Sequence, residues 1–588
     1  MMPVYPRCKQ SEIGKLLLAV LLLSILVGCV KEPVKPPADF IFIKVKSGET
    51  LQSLARTHLG SPSLAWRIAE FNGISEVAPG RELIIPLHPF RPGGLTATGH
   101  QLVPVLSYHN FTRGISHSKL IVSARDFDAQ MGYLQEHGFH VLSLDELLQY
   151  LRFGQVPRKS VLVTMDDGWV SCYSVAYPIL KKYGFNAVLF IPTDYIKPRS
   201  SRTLSWDQIR EMVNDSTIDI QCHSKSHKDL NAMKHGESFA AYLESVKNEL
   251  IISKKIILEE LGKQATALAY PYGNTNPVVM EILKQNGYTS AFTVKRAGNP
   301  FYMHNLRLHR SMIYGTFRLN RFIDNLEIFQ DYPLENPEPI DTMNSISEIS
   351  YGKPSEYEAK GQWRSALLAW KLRRDWLISH QDTASTGYGF ASLAGNDDLL
   401  KEATQKIREL QAKILSLAAG FFSSAIKTND IGLAHQLLLR TLLYDPNHKP
   451  ALEMLKNGWF NQQLVSYWVK NDDTLHKIAR HLYHDNGKAV LIPLFNKGID
   501  TDSDLVPGMK LMLPSVVALR DIKVDGSAQC HVVLTKPPRK LAEELYNQAN
   551  VLFNQDKVNA AIAKLRTAIC LNPHHQQAKD MLDMLEHL

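Results

Sequence analysis

The chain has 588 residues, of which 45% are hydrophobic and 21% charged, and this is the composition of an ordinary globular protein. At roughly 150 residues per domain, the length predicts about four domains. The net charge of +8 comes from 66 basic and 58 acidic residues that are spread without a basic block. This distribution argues against nucleic-acid binding, which usually concentrates positive charge on one face. Six cysteines in 588 residues exclude a disulfide scaffold, and the lack of any Cys-x-x-Cys pair excludes a zinc ribbon and a thioredoxin-type site.

The N-terminal segment predicts secretion and lipid attachment. Basic residues precede an apolar run over 16–27, which is too short to span a bilayer of about 30 Å but is typical of a secretory signal. The run ends in Leu-Val-Gly-Cys at 26–29, which resembles the lipobox of bacterial lipoproteins. The resemblance implies cleavage before Cys29, lipidation of its thiol and, because Val30 follows it, an outer-membrane position facing the periplasm. An uncleaved or non-lipidated signal is the alternative, and the Pro-rich stretch 29–40 is expected to be a tether.

Residues 41–87 and 466–515 share one pattern, in which two helical segments lie between two strand-like segments. Both resemble LysM domains, and the matching positions of the first are Val45, Gly48, Thr50, Leu51, Asn72, Pro79, Gly80 and the strand 83–86. The resemblance implies binding of N-acetylglucosamine glycans, peptidoglycan among them. The second segment has Asn-Asp at 471–472 where the first has Ser-Gly at 47–48, so its binding loop differs.

Two regions, 356–456 and 540–588, are predicted to be helical because Ala and Leu recur in them with helical spacing. The stretches 445–455 and 572–582 match almost position for position and resemble the end of a tetratricopeptide repeat. Such repeats usually serve as scaffolds, so the resemblance implies protein partners. A stretch rich in Pro, Glu and Ser at 331–355 is predicted to be a linker.

The region 100–330 alternates short apolar segments with helical ones. Continuous apolar strands joined by helices indicate a parallel sheet that is buried on both faces. Seven strands predict a distorted (β/α) barrel that is one strand short of the eight-stranded form. The predicted strands are 103–109, 161–168, 186–193, 218–224, 267–273, 289–294 and 307–313. The expected fold class is therefore a multidomain chain with this central barrel, flanked by small βααβ domains and α-helical repeats.

Polar residues cluster where several of these strands end. Asp166 and Asp167 lie at the end of the second predicted strand, His223 lies at the end of the fourth, and His227 follows it. In barrels of parallel strands, the active site lies at this carboxyl-terminal edge. Two imidazoles and one carboxylate can surround a metal ion and leave positions open for water and substrate, while the second carboxylate serves as general base. An acidic turn and surface histidines are the alternative interpretation.

These motifs resemble those of the polysaccharide deacetylase family (carbohydrate esterase family 4) over about residues 102–315. Thr-Met-Asp-Asp-Gly at 164–168, His-Ser-Lys-Ser-His at 223–227 and Ala-Tyr-Pro-Tyr-Gly at 269–273 match the family's motifs in order. The residues that the resemblance implies are the metal ligands Asp167, His223 and His227, expected to hold Zn²⁺, the general base Asp166, and the groove residues Pro271 and Tyr272.

The sequence departs from the family pattern at two places. Ala269 stands where many members have an arginine, and Arg310 is a candidate replacement that would steady the base. The final-strand histidine motif that supplies the general acid is reduced to a Leu-His pair ending at His309. An early Tyr-His pair and the phrase LSWDQIREM instead resemble the subgroup that acts on poly-N-acetylglucosamine, which implies His109 as the general acid and His309 as the reserve candidate. Trp206 is a further candidate for sugar stacking, with core packing as the alternative.

The expected function is metal-dependent removal of acetyl groups from N-acetylglucosamine units of a cell-envelope polysaccharide, poly-N-acetylglucosamine or similar. A peptidoglycan deacetylase and a non-catalytic glycan-binding scaffold are the alternatives. Besides these glycans, we expect protein partners for the repeats and a membrane contact through the lipid anchor. The predicted divisions are a signal peptide (1–28), a tether (29–40), a LysM-like domain (41–87), a deacetylase domain (100–330), a linker (331–355), a helical region (356–456), a second LysM-like domain (466–515) and a final repeat (540–588).

Overall fold

The computed structural model describes residues 38–586, except for 116–117, 199, 343–348, 350–352, 381–395, 526–537, 555–556 and 572–574. The predicted signal peptide, the lipidation site Cys29 and most of the tether lie outside the described residues. Within the described part of the chain, no helix is both long enough and apolar enough to cross a bilayer.

The first two groups of described elements cover the N-terminal unit and the central region. The N-terminal unit contains β1 (Phe40–Lys44), α1 (Leu51–Leu59), α2 (Ala65–Asn72) and β2 (Glu82–Pro86). The strands of the central region are β3 (Gly99–Gln101), β4 (Val105–Tyr108), β5 (Asn110–Thr112), β6 (Ile121–Ser123), β7 (His140–Val141), β8 (Ser160–Asp166), β9 (Ala187–Ile191), β10 (Ile218–Cys222), β11 (Ala232–Lys234), β12 (Ala267–Ala269), β13 (Ser290–Phe292), β14 (Ser311–Met312) and β15 (Phe329–Asp331). Its helices are α3 (Ala124–Glu136), α4 (Leu144–Leu151), α5 (Tyr177–Tyr183), α6 (Trp206–Asn214), α7 (Phe239–Leu261), α8 (Pro277–Gln285), α9 (Leu319–Ile323) and α10 (Pro339–Thr342).

The C-terminal half contains three further groups. The helical region contains α11 (Pro354–Ala359), α12 (Trp363–Ser379), α13 (Asn396–Lys427), α14 (Ile431–Tyr444) and α15 (Lys449–Gln462). The second small unit contains β16 (Leu464–Trp468), α16 (Leu475–Tyr483), α17 (Leu491–Phe495) and β17 (Lys510–Pro514), and β18 (Lys523–Asp525) follows it. The final helices are α18 (Pro538–Asn554), α19 (Val558–Leu571) and α20 (Gln576–Glu586).

The central sheet consists of parallel strands in the order β13-β12-β10-β9-β8-β4-β14, and β7 also pairs with β8. These seven strands are the seven predicted ones, and they confirm the expected fold class. Leu308 forms a parallel bridge with Phe292 of β13, whereas Ser311 pairs with Leu106 of β4. The sheet is an open half-barrel whose outer strands, apart from β14, are β13 and β4. The segment that contains Leu308 and β14 contacts both of them.

The two small units have the same construction. In each, the outer strands pair antiparallel, and one asparagine joins the second helix to the last strand. The side chain of Asn72 donates to the carbonyls of Ile68 and Ile84 and accepts from the Ile84 N–H. Asn496 makes the same set of bonds with Ile492 and Met512. In both units, one asparagine thus ties the last strand to the second helix.

The second unit packs directly against the central region. Leu491, which is fully buried, belongs to the same apolar cluster as Val279 and Leu283 of α8. The Gln285 amide donates to the Leu494 carbonyl at 2.6 Å, and β18 pairs in parallel with β11 of the central region. The predicted domain 466–515 is thus joined to the central region by a shared core, which its own sequence did not indicate.

Leu491→Ala is expected to destabilise the central region as well as the second unit, by about 2–5 kcal/mol, because it leaves a cavity in their common core. Urea unfolding followed by hydrogen exchange would measure the loss in each part. Val506→Ala is the matched control, since Val506 lies in the same unit and is 57% exposed. A loss confined to 466–515 would contradict the shared core.

The helical region also packs against other parts of the chain. Arg374 of α12 pairs with Asp39 at 2.8 Å, beside the first small unit, and Leu438 of α14 lies in an apolar cluster with Val105 of β4. The Asp-Pro stretch at 445–446 lies in the turn between α14 and α15, as expected, while the assignment to tetratricopeptide repeats stays a prediction. Part of the predicted linker is ordered, because the Leu334 N–H donates to the carbonyl of Ala97.

Candidate active site

The site lies where four parallel strands end. β4 is followed by His109, β8 ends at Asp166 with Asp167 next to it, β10 is followed by His223, and β12 leads into the turn Pro271–Gly273. Because the strands are parallel, their carboxyl ends meet at one edge of the sheet. Residues as distant in the sequence as His109 and Gly273 are brought to one edge in this way.

Asp167, His223 and His227 form a compact buried cluster. The Asp167 Oδ1 atom lies 3.4 Å from His223 Nε2 and 3.5 Å from His227 Nε2. Among the described residues, these three are the group whose ligand atoms all lie within 4.8 Å of one another. Asp167 Oδ1 is buried and has no hydrogen-bond partner. A carboxylate oxygen and two ring nitrogens that converge without satisfying one another fit a divalent cation with positions left for water and substrate.

Neighbouring groups orient two of the three side chains. His223 Nδ1 donates to the Ala269 carbonyl at 2.8 Å, which leaves Nε2 as the atom that faces the cluster. The Trp169 indole donates to Asp167 Oδ2 at 3.1 Å and turns Oδ1 toward the histidines. Burial and the neighbouring His223 lower the pKa of His227 to about 4, so its ring is in the neutral form that binds metals. Trp169 was not predicted, although its place two residues after Asp167 could have suggested it.

Several residues of the site adopt left-handed backbone conformations. Asp167, Ser224, His227 and Tyr272 have φ values of 73°, 63°, 60° and 60°. Such conformations are unfavourable for residues other than glycine, and they persist only where the surrounding structure imposes them. Their concentration at one edge of the sheet indicates that the fold holds these side chains in place.

Asp166 forms a buried ion pair with Arg310. Two nearly parallel hydrogen bonds, of 2.7 and 2.8 Å, join the guanidinium to both carboxylate oxygens, and Arg310 is 0% exposed. Arg310 also donates from Nε to the Thr293 carbonyl. Burial by itself would raise the pKa of Asp166, but the positive charges of Arg310 and then of His223 outweigh it and hold that pKa at about 2. The structure thus gives Asp166 a buried, positively charged partner that keeps the carboxylate ionised.

The two candidate acids are placed differently. His109 is buried at the end of β4, and it is among the neighbours that lower the pKa of Asp166, after Arg310 and His223, and of Asp167, after His223. His309 directly precedes Arg310, and its backbone N–H donates to Asn299 Oδ1 at 2.8 Å. Burial and the neighbouring Lys295 lower the pKa of His309 to about 4. His109 thus acts on both carboxylates, whereas the charges that act on His309 are those of Lys295 and Arg307.

Of the three predicted sugar-contacting residues, Pro271 and Tyr272 lie at the cluster, whereas Trp206 packs against the apolar core. The Tyr272 ring lies 4.9 Å from the His227 ring, and Pro271 is buried beside it. Trp206 begins α6 and packs, half-buried, against the main apolar core. The helices α18–α20 reach the edge of the site, because Tyr272 packs against their apolar cluster and the Phe553 carbonyl accepts from the Lys119 ammonium.

Comparison with known proteins agrees with this geometry. Residues 153–291 match the polysaccharide deacetylase family model, and residues 43–86 match the LysM domain model. The chain is 30% identical over 201 residues to a poly-β-1,6-N-acetyl-D-glucosamine N-deacetylase of Staphylococcus epidermidis, which is 33% of this chain and 68% of that protein.

The chain belongs to the polysaccharide deacetylase family. The corresponding enzyme of Staphylococcus aureus is 29% identical over 194 residues, or 32% of this chain and 67% of that one. Among solved structures, a deacetylase of Streptococcus pyogenes in complex with acetate is 27% identical and covers 39% of this chain and 100% of that one, with a TM-score of 0.36. IcaB of Ammonifex degensii is 25% identical and covers 39% and 98%, with a TM-score of 0.34.

Membership in the polysaccharide deacetylase family makes this chain a hydrolase of carbon–nitrogen bonds other than peptide bonds, as predicted.

The LysM assignment of the first small unit is confirmed. In the second unit, Asp472 has φ 66° at the position where the first has Gly48 with φ 84°. Aspartate tolerates this conformation better than most residues, so the substitution keeps the turn and adds a carboxylate to it.

Proposed function

We propose that the chain is a metal-dependent deacetylase that removes acetyl groups from N-acetylglucosamine units of a cell-envelope polysaccharide. The observation that carries the proposal is the pairing of Asp166 with Arg310 beside the cluster of Asp167, His223 and His227. Two adjacent carboxylates thereby have different surroundings, as separate base and ligand roles require. The similarity to enzymes named for poly-β-1,6-N-acetyl-D-glucosamine favours that polymer, or a similar one, as the substrate.

Asp167, His223 and His227 would hold the metal, for which Zn²⁺ is our proposal. When bound, such a cation supplies Lewis acidity, which makes water a nucleophile near neutral pH and polarises the acetamide carbonyl. Asp166 accepts the proton of the attacking water, and Arg310 keeps the carboxylate ionised and directed at the site. Protonated His109 donates to the nitrogen of the departing amine, since an unprotonated amide nitrogen is a very poor leaving group. Acetate and a free amino sugar result.

The other modules would place this activity in the envelope. The LysM unit would bind the glycan or peptidoglycan, and Tyr272 offers an aromatic face to a pyranose ring. We propose that Cys29 carries the lipid anchor, that the protein faces the periplasm from the outer membrane, and that the helical repeats recruit protein partners. Peptidoglycan is the second candidate substrate, because LysM domains favour a protein that binds the cell wall.

Acetate release distinguishes the candidates. The purified protein would be given β-1,6-linked N-acetylglucosamine oligomers and, separately, muropeptides, with chelator-treated protein as control. We expect release from the β-1,6-linked oligomers, its loss on chelation and its return when Zn²⁺ is added. Release from muropeptides alone would establish the second candidate, and no release from either by metal-loaded protein would leave a glycan-binding scaffold.

A further inference from the structure

We infer that Glu249 is a positioning residue that holds the loop carrying both histidines of the cluster. Glu249 lies on α7, 22 positions after His227, and it belongs to none of the motifs found in the sequence. Its side chain is half-buried and faces the loop that follows β10. The inference rests on the metal site proposed above, but not on the identity of the glycan.

The contacts of Glu249 with the loop are specific. Its Oε2 atom accepts from the backbone N–H groups of Lys225 and Ser226, at 3.0 and 2.8 Å. Its Oε1 atom accepts from the Ser226 hydroxyl at 2.7 Å. One carboxylate thus accepts three hydrogen bonds from two consecutive residues that lie between His223 and His227 in the sequence.

The loop needs such support because of its backbone. Ser224 and His227, on either side of the two bonded residues, both have left-handed φ values. On the other side of the loop, the Lys225 carbonyl accepts from the Asp194 N–H at 2.9 Å, and the Lys225 ammonium pairs with the Asp194 carboxylate. That ion pair is about one-third exposed, and pairs of this kind contribute little. Glu249 therefore supplies the hydrogen-bond acceptors that tie the loop to a helix.

The consequence is that Glu249 fixes the position of both histidines through the loop that carries them. Their Nε2 atoms lie 3.4 and 3.5 Å from Asp167 Oδ1. Without these bonds, metal binding would also have to order the loop, and the affinity would fall. Groups that support the ligands of a metal site typically change its affinity by 10- to 100-fold.

Two substitutions separate hydrogen bonding from charge. Glu249→Ala removes all three bonds and is expected to raise the Zn²⁺ dissociation constant by about 10- to 100-fold, measured by competition with a chromophoric chelator. Glu249→Gln retains a carbonyl oxygen for the two backbone N–H groups and an amide that can donate to Ser226, so we expect a rise of less than about tenfold. Glu244→Ala, an exposed glutamate on the same helix, is the matched control and should bind Zn²⁺ as the wild type does.

A second readout needs neither metal nor substrate. In the metal-free proteins, hydrogen exchange at the amides of Lys225 and Ser226 should be slow in the wild type and in Glu249→Gln, and fast in Glu249→Ala. Equal Zn²⁺ affinity in all variants would overturn the inference. So would an equal loss of affinity in Glu249→Gln and Glu249→Ala, because the charge and not the position would then matter. Since neither assay uses a glycan, a failure of the proposed substrate would be recognised separately by acetate release.

Discussion

Asp166→Asn is expected to lower the rate of acetate release by about 10²- to 10⁴-fold, the usual contribution of a positioned general base. Asparagine has nearly the shape of aspartate but cannot accept the proton of the attacking water. Asp166 is not one of the three clustered ligand residues, so the variant should still bind the metal. The measurement is the turnover number on acetylated oligomers together with the metal content of the same sample.

His223→Ala provides the comparison for Asp166→Asn. It removes a ligand of the cluster, so we expect both the metal and the turnover to be lost. Turnover close to that of the wild type in Asp166→Asn, at equal metal content, would contradict the assignment of the base. Loss of metal from Asp166→Asn would instead show that the two carboxylates share one role.

Arg310→Met is expected to destabilise the protein by about 3–5 kcal/mol, because it leaves a buried carboxylate without its charge partner. Arg310 is 0% exposed and Asp166 is 2% exposed, so water cannot replace the lost hydrogen bonds. Turnover should fall as well, since the two hydrogen bonds that orient the Asp166 carboxylate would be lost. Urea unfolding gives the change in stability, and acetate release at saturating metal gives the change in turnover.

A double substitution tests whether the loss belongs to the pair. In Asp166→Asn with Arg310→Met, neither charge is left unpaired, so the loss of stability should be smaller than the sum of the two single losses. Arg321→Met is the control, because the Arg321–Asp324 pair is more than half exposed and should contribute about 0–1 kcal/mol. A simple sum in the double variant would show that Arg310 and Asp166 are not coupled.

The sequence alone was enough to locate the central sheet and the residues at its carboxyl edge. All seven predicted strands are present in the sheet. Each could be recognised from its own short apolar run, because such a run, bounded by turns and helices, is a local pattern. The three residues Asp167, His223 and His227 could be grouped because parallel strands place their ends at one edge. Both inferences need only the spacing of residues and one rule of topology.

The tertiary structure decided which distant residues meet. Arg310 lies between Leu308, which bridges to β13, and Ser311, which pairs with β4. This segment therefore joins the two edges of the sheet, and the Arg310 guanidinium reaches Asp166 from it. His109 and His309 were both candidates in the sequence, and only the folded structure shows that His109 is the one that acts on the two carboxylates. Glu249 gave no signal, since nothing in a helix indicates which loop a carboxylate will bind.

The association of the second small unit with the deacetylase core likewise could not be predicted from the sequence. The helical spacing in 466–515 shows that a face is apolar, but it does not show against which surface that face packs. Local periodicity follows from the geometry of one strand or helix and can be read along the chain. Contacts between elements depend on shape and hydrogen-bond direction in three dimensions, and for this reason the ion pair, the support of the histidine loop and the shared core required the folded structure.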